Sequence, residues 1–405
     1  MANGVGRANS GGDPAAPSLP EPAPAEPAGG DPARRDPARR DLPSVHLDEL
    51  RPLGLAAGLS TVGVTSAEPL EPARSVLPRR RSAGLAADMQ FTYRNPDRST
   101  DPTRHVPGAR SLVVATLDYR TALPDRPGGL QARVARYAWS DHYERLRQGL
   151  EAMADELRRR GHRARVVADS NALVDRNAAW RAGLGWYGKN TNLLVPDAGS
   201  WYVLGAIVTD ALVEGGQDPQ PDGCGSCRAC IDDCPTEAIV APGVLDARRC
   251  IAWLVQSAEP IPRAYRAAVG DRLYGCDICQ EVCPPNRMAD RRDGTDRPPA
   301  DGDAWVEVAW VLEADDEALL DRYGRWYLAD RDPDVLRRTA LVILGNIGSA
   351  QDPTVVRLLE RYIRAERELL RIHAVWAAGT LGLHALVEGC ADDPSPAVQA
   401  ERARF

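Results

Sequence analysis

The chain has 405 residues, 43% of them hydrophobic and 26% charged, enough to bury the cores of two or three domains. Its formal net charge of -7 argues against a nonspecific polyanion binder, while leaving room for a local basic cleft. No run of eighteen apolar residues occurs, and Met1-Ala-Asn-Gly-Val-Gly-Arg7 contains no apolar signal core, so a soluble cytoplasmic protein is expected, with no membrane contact.

Residues 1–45 form a Pro, Ala and Gly-rich stretch with a repeated Asp-Pro-Ala-Arg-Arg, and a disordered tail is expected there because few large apolar side chains offset the ordering entropy. Arg34-Arg35 is followed by no apolar segment, which argues against a twin-arginine export signal. A globular pattern begins at Leu47. Leu50 to Leu59 has helical spacing, Thr61 to Thr65 reads as a short strand, and Ser111 to Leu117 as a stronger one after the turn Pro107-Gly108. Tyr137 to Arg160 is amphipathic and ends at Gly161, which predicts a long helix. A strand from Ala164 to Ala168 ends on Asp169, a helix follows from Leu173 to Ala182, and strands are expected over 192–195 and 201–209. This order predicts an α+β sheet domain over 46–215.

Over residues 136–189, eleven basic side chains face seven acidic ones, opposite in sign to the whole chain. Such a segment suits an anionic cofactor or a phosphate backbone, and equally the solvated face of a helix. Lys189 is the one lysine among 50 basic residues, so an ammonium stands where the chain otherwise uses arginine. Gly183-x-Gly-x-x-Gly188 follows a helix and precedes a strand, the reverse of the dinucleotide-binding context, which argues against NAD.

Two cysteine runs carry the chemistry. Cys224-Gly-Ser-Cys227-Arg-Ala-Cys230-Ile-Asp-Asp-Cys234-Pro235 has the full C-x2-C-x2-C-x3-C-P spacing of bacterial ferredoxins. Cys276-Asp-Ile-Cys279-Gln-Glu-Val-Cys283-Pro284 lacks one ligand of that pattern, and Cys250 supplies it. Eight thiolates satisfy two [4Fe-4S] clusters. The crossed-ligand rule assigns Cys224, Cys227, Cys230 and Cys283 to one, and Cys234, Cys250, Cys276 and Cys279 to the other. A zinc ribbon would leave half the thiols unexplained, and a disulfide framework requires an oxidising compartment. Cys390 stands alone in the tail and reads as buried filler. The span 216–290 is therefore read as a ferredoxin-like two-cluster domain and the polar, Pro-rich 291–303 as a linker. Val335 to Gly345 superposes on Leu369 to Gly379 at an offset of 34 residues, which predicts an all-α, HEAT-like repeat domain over 304–405.

Asp169-Ser170, Arg181-Ala-Gly-Leu-Gly-Trp-Tyr-Gly-Lys-Asn190, the first cysteine run, Arg249-Cys250-Ile251 and Arg272-Leu-Tyr-Gly-Cys-Asp-Ile-Cys279 resemble the epoxyqueuosine reductases, from about residue 47 to the end. Members of that family are cobalamin-dependent iron-sulfur enzymes that reduce the epoxide of epoxyqueuosine at the wobble position of tRNA. The resemblance implies a cobalamin-binding sheet domain, two [4Fe-4S] clusters beside it, and a helical tail that helps hold the tRNA anticodon stem-loop. It implies Asp169 as proton donor, and Asp169, Lys189, Ser200, Gln256 and Ser257 as cobalamin contacts. It further implies a monomer reduced by an external flavodoxin- or ferredoxin-type donor.

An epoxide opens reductively when a strong reductant attacks carbon and an acid protonates the departing oxygen; a second electron and proton complete removal of that oxygen. Asp169 would need a raised pKa, which burial supplies, and on spacing alone it could equally cap the following helix. No Asp-x-His-x-x-Gly occurs, so none of the six histidines is offered to cobalt and base-off cobalamin is expected. His142-Tyr143-Glu144 stands where family members often have Asp-Tyr-His, and Asn171-Ala172 replaces a usual Pro, so the pocket rim differs. Arg98 only approximates a family arginine. Three alternatives stay open: a reductive dehalogenase-like enzyme, another cobalamin and iron-sulfur reductase, and an electron-transfer ferredoxin-type protein.

Overall fold

The structure is a computed structural model, describing residues 42–293 and 303–405. The expected tail lies outside the described residues through 41, and the expected linker does so over 294–302. Val45, at the end of the expected tail, already pairs in a strand: β1 (Val45–His46) runs parallel to a later strand, Val213–Glu214.

The first layer is a four-stranded sheet of β2 (Thr61–Ser66), β3 (Ser111–Asp118), Tyr202–Thr209 and Ala164–Ala168, all neighbours antiparallel. Side chains alternate across central β3: Val113, Ala115 and Leu117 enter one core, Leu112 and Val114 the other. β3 is buried on both faces, which is why it reads as a continuous apolar run rather than an alternating one. The strand Ala164–Ala168 lies at one edge of this sheet, paired on one side only.

The long helix covers one face of this sheet. It spans His142–Arg159 instead of starting at Tyr137, because Asp141 accepts from the Glu144 amide and sets the N-terminus. Leu146, Leu150, Met153, Ala154 and Leu157 form its buried stripe. Gly205 of Tyr202–Thr209 lets this helix approach: a Cβ there would meet Leu150 Cδ1 at 2.8 Å and Leu146 Cδ2 at 3.1 Å. The helix Asp175–Arg181 covers the opposite face, shorter than the Leu173 to Ala182 span expected.

Residues 131–139 leave this layer. Gln131–Val134 pairs with Arg272–Tyr274 on one side and Trp305–Glu307 on the other, a three-stranded sheet that the alternating sequence pattern did not reveal. Trp139, Ile251, Leu273, Val306 and the tail helices share one core. The two repeat segments fall inside the helices Asp334–Ile347 and Glu368–Thr380, which pack closely, with Gly345 against the Trp376 ring. Arg338, fully buried, donates to the carbonyls of Leu254, Ser257 and Glu259 and so ties the first of these helices to the segment that follows Cys250.

Candidate functional site

None of the nine cysteines is in a disulfide. Cys283 is buried, its thiol pushed up to about 11 by burial, with Cys224, Cys230 and Cys227 close enough to add to the shift. Burial likewise raises Cys250, with Cys234 adding, and Cys276, up to about 12, with Cys250 adding. Cys279 feels Cys276 and Cys250 first among the thiols, then Cys230. The fold thus brings together two groups of four thiols, drawn from separate stretches of chain, that meet at Cys230 and Cys279. Among the described residues no three His, Cys, Asp or Glu side chains converge as a single-ion site would require. A four-iron cube, with thiolates at its corners, uses the wider spread.

Several contacts hold these loops. Lys189 Nζ donates to the carbonyls of Gly225 at 2.6 Å and Cys227 at 2.8 Å. Asn190 Nδ2 donates to the Cys279 carbonyl at 3.2 Å. The glycine-rich stretch before them is a tight hairpin, Trp186–Tyr187 against Leu193–Leu194, in which a Cβ at Gly185 would overlap the Leu194 carbonyl. Its glycines serve close packing, which agrees with the reading against a dinucleotide.

Asp169 ends the edge strand Ala164–Ala168 with φ +49, a left-handed conformation that non-glycine residues seldom adopt. The next helix is capped at Val174, so Asp169 caps nothing. Asp169 is exposed to solvent. Desolvation raises its pKa, Arg147 opposes and Asp141 adds. Tyr143 and Tyr274 lie within the field of its carboxylate. So does Asp175, whose own pKa is raised to about 8 by burial first and by Asp169 second.

The other residues expected at the cofactor divide into two kinds. Gln256 Nε2 donates to Tyr137 Oη at 3.1 Å, and Tyr137 lies against Tyr274, so Gln256 belongs to the aromatic wall reaching toward Asp169. Ser200 instead sits in a buried network: its amide donates to Asn286 Oδ1 at 2.6 Å and its hydroxyl to Gln280 Oε1 at 3.0 Å. Ser257 is buried, with its carbonyl held by Arg338. Lys189 is engaged with the cysteine loop, as above.

Sequence reasoning missed much of the wall. His142 is buried beside Tyr119, with ring centroids 5.5 Å apart, and neither ring nitrogen has a well-formed hydrogen bond among the described residues. Arg136 stacks its guanidinium 4.5 Å over Trp201, while Asp277, between two cysteines, accepts from the Arg136 amide at 2.7 Å. The unpartnered Nε of Arg136, the indole nitrogen of Trp201, the His142 nitrogens and Asp175 Oδ1 are buried polar groups of this region. Their only sequence signal was an unusual density of Tyr, His and Trp between 137 and 143. A separate cavity of about 540 Å³ lies in the tail, lined by Arg337, Arg361, Arg364 and Arg367 with carboxylates, and contains neither Asp169 nor a cysteine.

Comparison with known proteins agrees with this geometry. Residues 223–286 match the 4Fe-4S double cluster binding domain, so the protein holds two [4Fe-4S] clusters. Residues 99–170 match the family described as epoxyqueuosine reductase QueG, DUF1730. The epoxyqueuosine reductase of Xanthomonas campestris is 34% identical over 355 residues, covering 82% of this chain and 96% of that protein. That of Bacillus cereus is 30% identical over 335 residues, covering 80% and 86%. A crystal structure of epoxyqueuosine reductase with an epoxyqueuosine-modified tRNA-Tyr stem loop superposes with a TM-score of 0.79 at 27% identity, covering 88% of this chain and 97% of that one. The Bacillus subtilis enzyme, solved with a catalytic aspartate loop swung out of its active site, superposes with the same score at 26% identity and the same coverage. With these relatives matched along nearly their whole length and with both cysteine runs in place, the chain belongs to the epoxyqueuosine reductase family, an oxidoreductase family.

Proposed function

We propose that this protein reduces the epoxide of epoxyqueuosine in the tRNA anticodon loop, giving queuosine. The observation that carries the reading is a strained, partly desolvated acid, Asp169, at the end of the edge strand, in a chain that also carries eight closely spaced thiols and is similar throughout to these reductases. Two electrons and two protons convert an epoxide to an alkene and water. One cluster is held by Cys224, Cys227, Cys230 and Cys283, the other by Cys234, Cys250, Cys276 and Cys279, and electrons arrive singly from an external flavodoxin- or ferredoxin-type donor.

Cobalamin fits the wall between Asp169 and the cysteines. That wall has buried polar atoms without protein partners, at Arg136, His142, Asp175 and Trp201, where the amides of a large polar cofactor would find hydrogen bonds. Asp169 and Gln256 are the expected residues best placed to meet it; Ser200, Ser257 and Lys189 act by shaping the loops. The cofactor supplies the strong reductant for the epoxide carbon. Asp169 supplies the proton to the departing oxygen, and the aromatic wall excludes water from the reacting centre. The sheet layer, 46–215, is then the cofactor domain, 216–290 the ferredoxin-like part, and 304–405 a HEAT-like module that meets the anticodon stem-loop. The protein acts as a cytoplasmic monomer, where its tRNA substrate is found.

Nucleoside analysis of tRNA tests this. Cells lacking the protein should accumulate epoxyqueuosine and lack queuosine, and the intact chain should restore it; unchanged queuosine in the deletion strain would reject the assignment.

A further inference from the structure

Lys189 and Asn190 stand at the tip of the hairpin Trp186–Tyr187 against Leu193–Leu194, and each clasps a different cysteine run. Lys189 Nζ donates to the carbonyls of Gly225 at 2.6 Å and Cys227 at 2.8 Å, in the first run. Asn190, buried, donates from Nδ2 to the Cys279 carbonyl at 3.2 Å, in the second. The tip fixes both side chains. Thr191 takes a left-handed backbone with φ +68, the Asn192 amide donates to Asn190 Oδ1 at 3.1 Å, and the Gly243 amide donates to the Lys189 carbonyl at 3.0 Å. A neutral amide is enough to clasp the second run. The first is clasped by a full positive charge, in a chain with one lysine among 50 basic residues. Among the described residues that ammonium pairs with no carboxylate, whereas Arg228 of the same run is paired with Asp232 at 3.0 Å. Cys227 is also the one exposed cysteine of the nine, so an external donor comes nearest to the thiols at this run.

We propose that Lys189 is a positioning residue whose charge, fixed on the carbonyl of the ligand Cys227, stabilises the reduced form of the first cluster and so keeps that cluster within reach of the external donor. The inference rests on the division of the eight thiols given above. Reduction adds one electron from the donor, and with it one negative charge, to a cluster that already carries four thiolates; no bond breaks and no proton moves. A cation held beside the ligands favours the more negative form, and net charge, hydrogen bonding and exposure are what set the potentials of such clusters. Lys189 is half-buried, so water screens its charge in part and the effect is moderate. Asn190 brings a dipole to the second run in place of a charge. The two neighbours on one hairpin therefore hold both runs in register while adding a full charge to only one of them.

The test is a redox titration of the full-length protein, purified anaerobically with both clusters and followed by electron paramagnetic resonance, without cobalamin or tRNA. Lys189→Gln keeps a hydrogen-bond donor and removes the charge. It should retain the parent's iron and lower the midpoint of one cluster, making its reduction about tenfold less favourable, or about 59 mV for a one-electron couple, while the other cluster moves less. Lys189→Arg keeps the charge with a different shape, and its midpoint should lie between those of Lys189→Gln and the parent. In Cys250→Ala, which keeps the thiols of the first cluster, the Lys189-sensitive signal should remain. Unmoved midpoints in Lys189→Gln at full iron, equal shifts of both clusters, or a midpoint in Lys189→Arg as low as in Lys189→Gln would overturn the proposal. A residue that merely clasps the run would give the first of these results. Should Lys189→Gln lose iron, Lys189→Met, which keeps the length of the stem, gives the same comparison, and iron loss in both would overturn it. Disappearance of the sensitive signal in Cys250→Ala would overturn it through the division of the thiols, a failure distinct from unmoved midpoints. The titration uses no substrate, so it stands even if epoxyqueuosine proves not to be the one reduced.

Discussion

Asp169 combines a left-handed backbone with a partly desolvated carboxyl, two costs that persist only where the surroundings over-determine the conformation. Asparagine tolerates the same backbone and keeps the size, but has no proton to give. Asp169→Asn should therefore keep its iron and fold while reducing epoxyqueuosine stem-loop at least about a hundredfold more slowly in single-turnover assays. Near wild-type rates would move the acid elsewhere. His142 offers a second test at this scale. Burial, with Arg145 adding, lowers its pKa from 6.5 to about 4. The folded protein then binds fewer protons than the unfolded chain between those values, so this group adds stability as pH rises through the window and removes it as pH falls. His142→Phe, which keeps a ring against Tyr119, should flatten the fall in thermal midpoint from pH 6.5 to pH 4. An unchanged slope would mean the ring is already charged in the folded state.

At the scale of elements, the thiols proposed for the second cluster come from separate elements. Cys234 follows the short helix Ala229–Asp232, Cys250 stands at the N-terminal cap of Ile251–Leu254, and Cys279 lies within Ile278–Glu281. Removing one thiol leaves three of the four thiolates such a cluster ordinarily takes, which weakens its retention. Cys250→Ala should therefore hold about half the iron of the parent protein, near four atoms per chain against eight. Full iron content in that variant would break the ligand count. The cysteine spacing was legible because cluster geometry restricts ligands locally, and the strand ending at Ala168 because its alternation and terminal Asp are local too. The start of the long helix was not. Tyr137 to Trp139 fit its periodicity, yet they pack into the core shared with the tail, where Trp326 Nε1 and Arg325 donate to the Ala138 carbonyl.

For the molecule as a whole, the tail is continuous with the rest. Trp305–Glu307 completes a sheet with Gln131–Val134, and the tail helices share a core with Ile251 and Leu273. Deleting 304–405 would uncover that core and free the carbonyls that Arg338 satisfies around the Cys250 helix. A chain ending at 303 should accordingly aggregate or fail to retain the cluster that uses Cys250, measured as soluble yield and iron content. A soluble protein with both clusters would show the tail to be a separable module.

The sequence by itself determined that two clusters are held, where the sheet's central strands lie and that an acid stands at a strand end, because each rests on short-range spacing: thiols packed closely enough for a small inorganic cube, alternation across a pleat, a carboxyl after a short apolar run. Only the tertiary structure decided that Asp169 caps no helix, that Lys189 and Ser200 hold loops, and that residues 131–139 bind tail to cluster segment. Those outcomes depend on which groups lose water together. Desolvation is a property of the packed surroundings, contributed by chain segments far apart in sequence, and no local pattern encodes it.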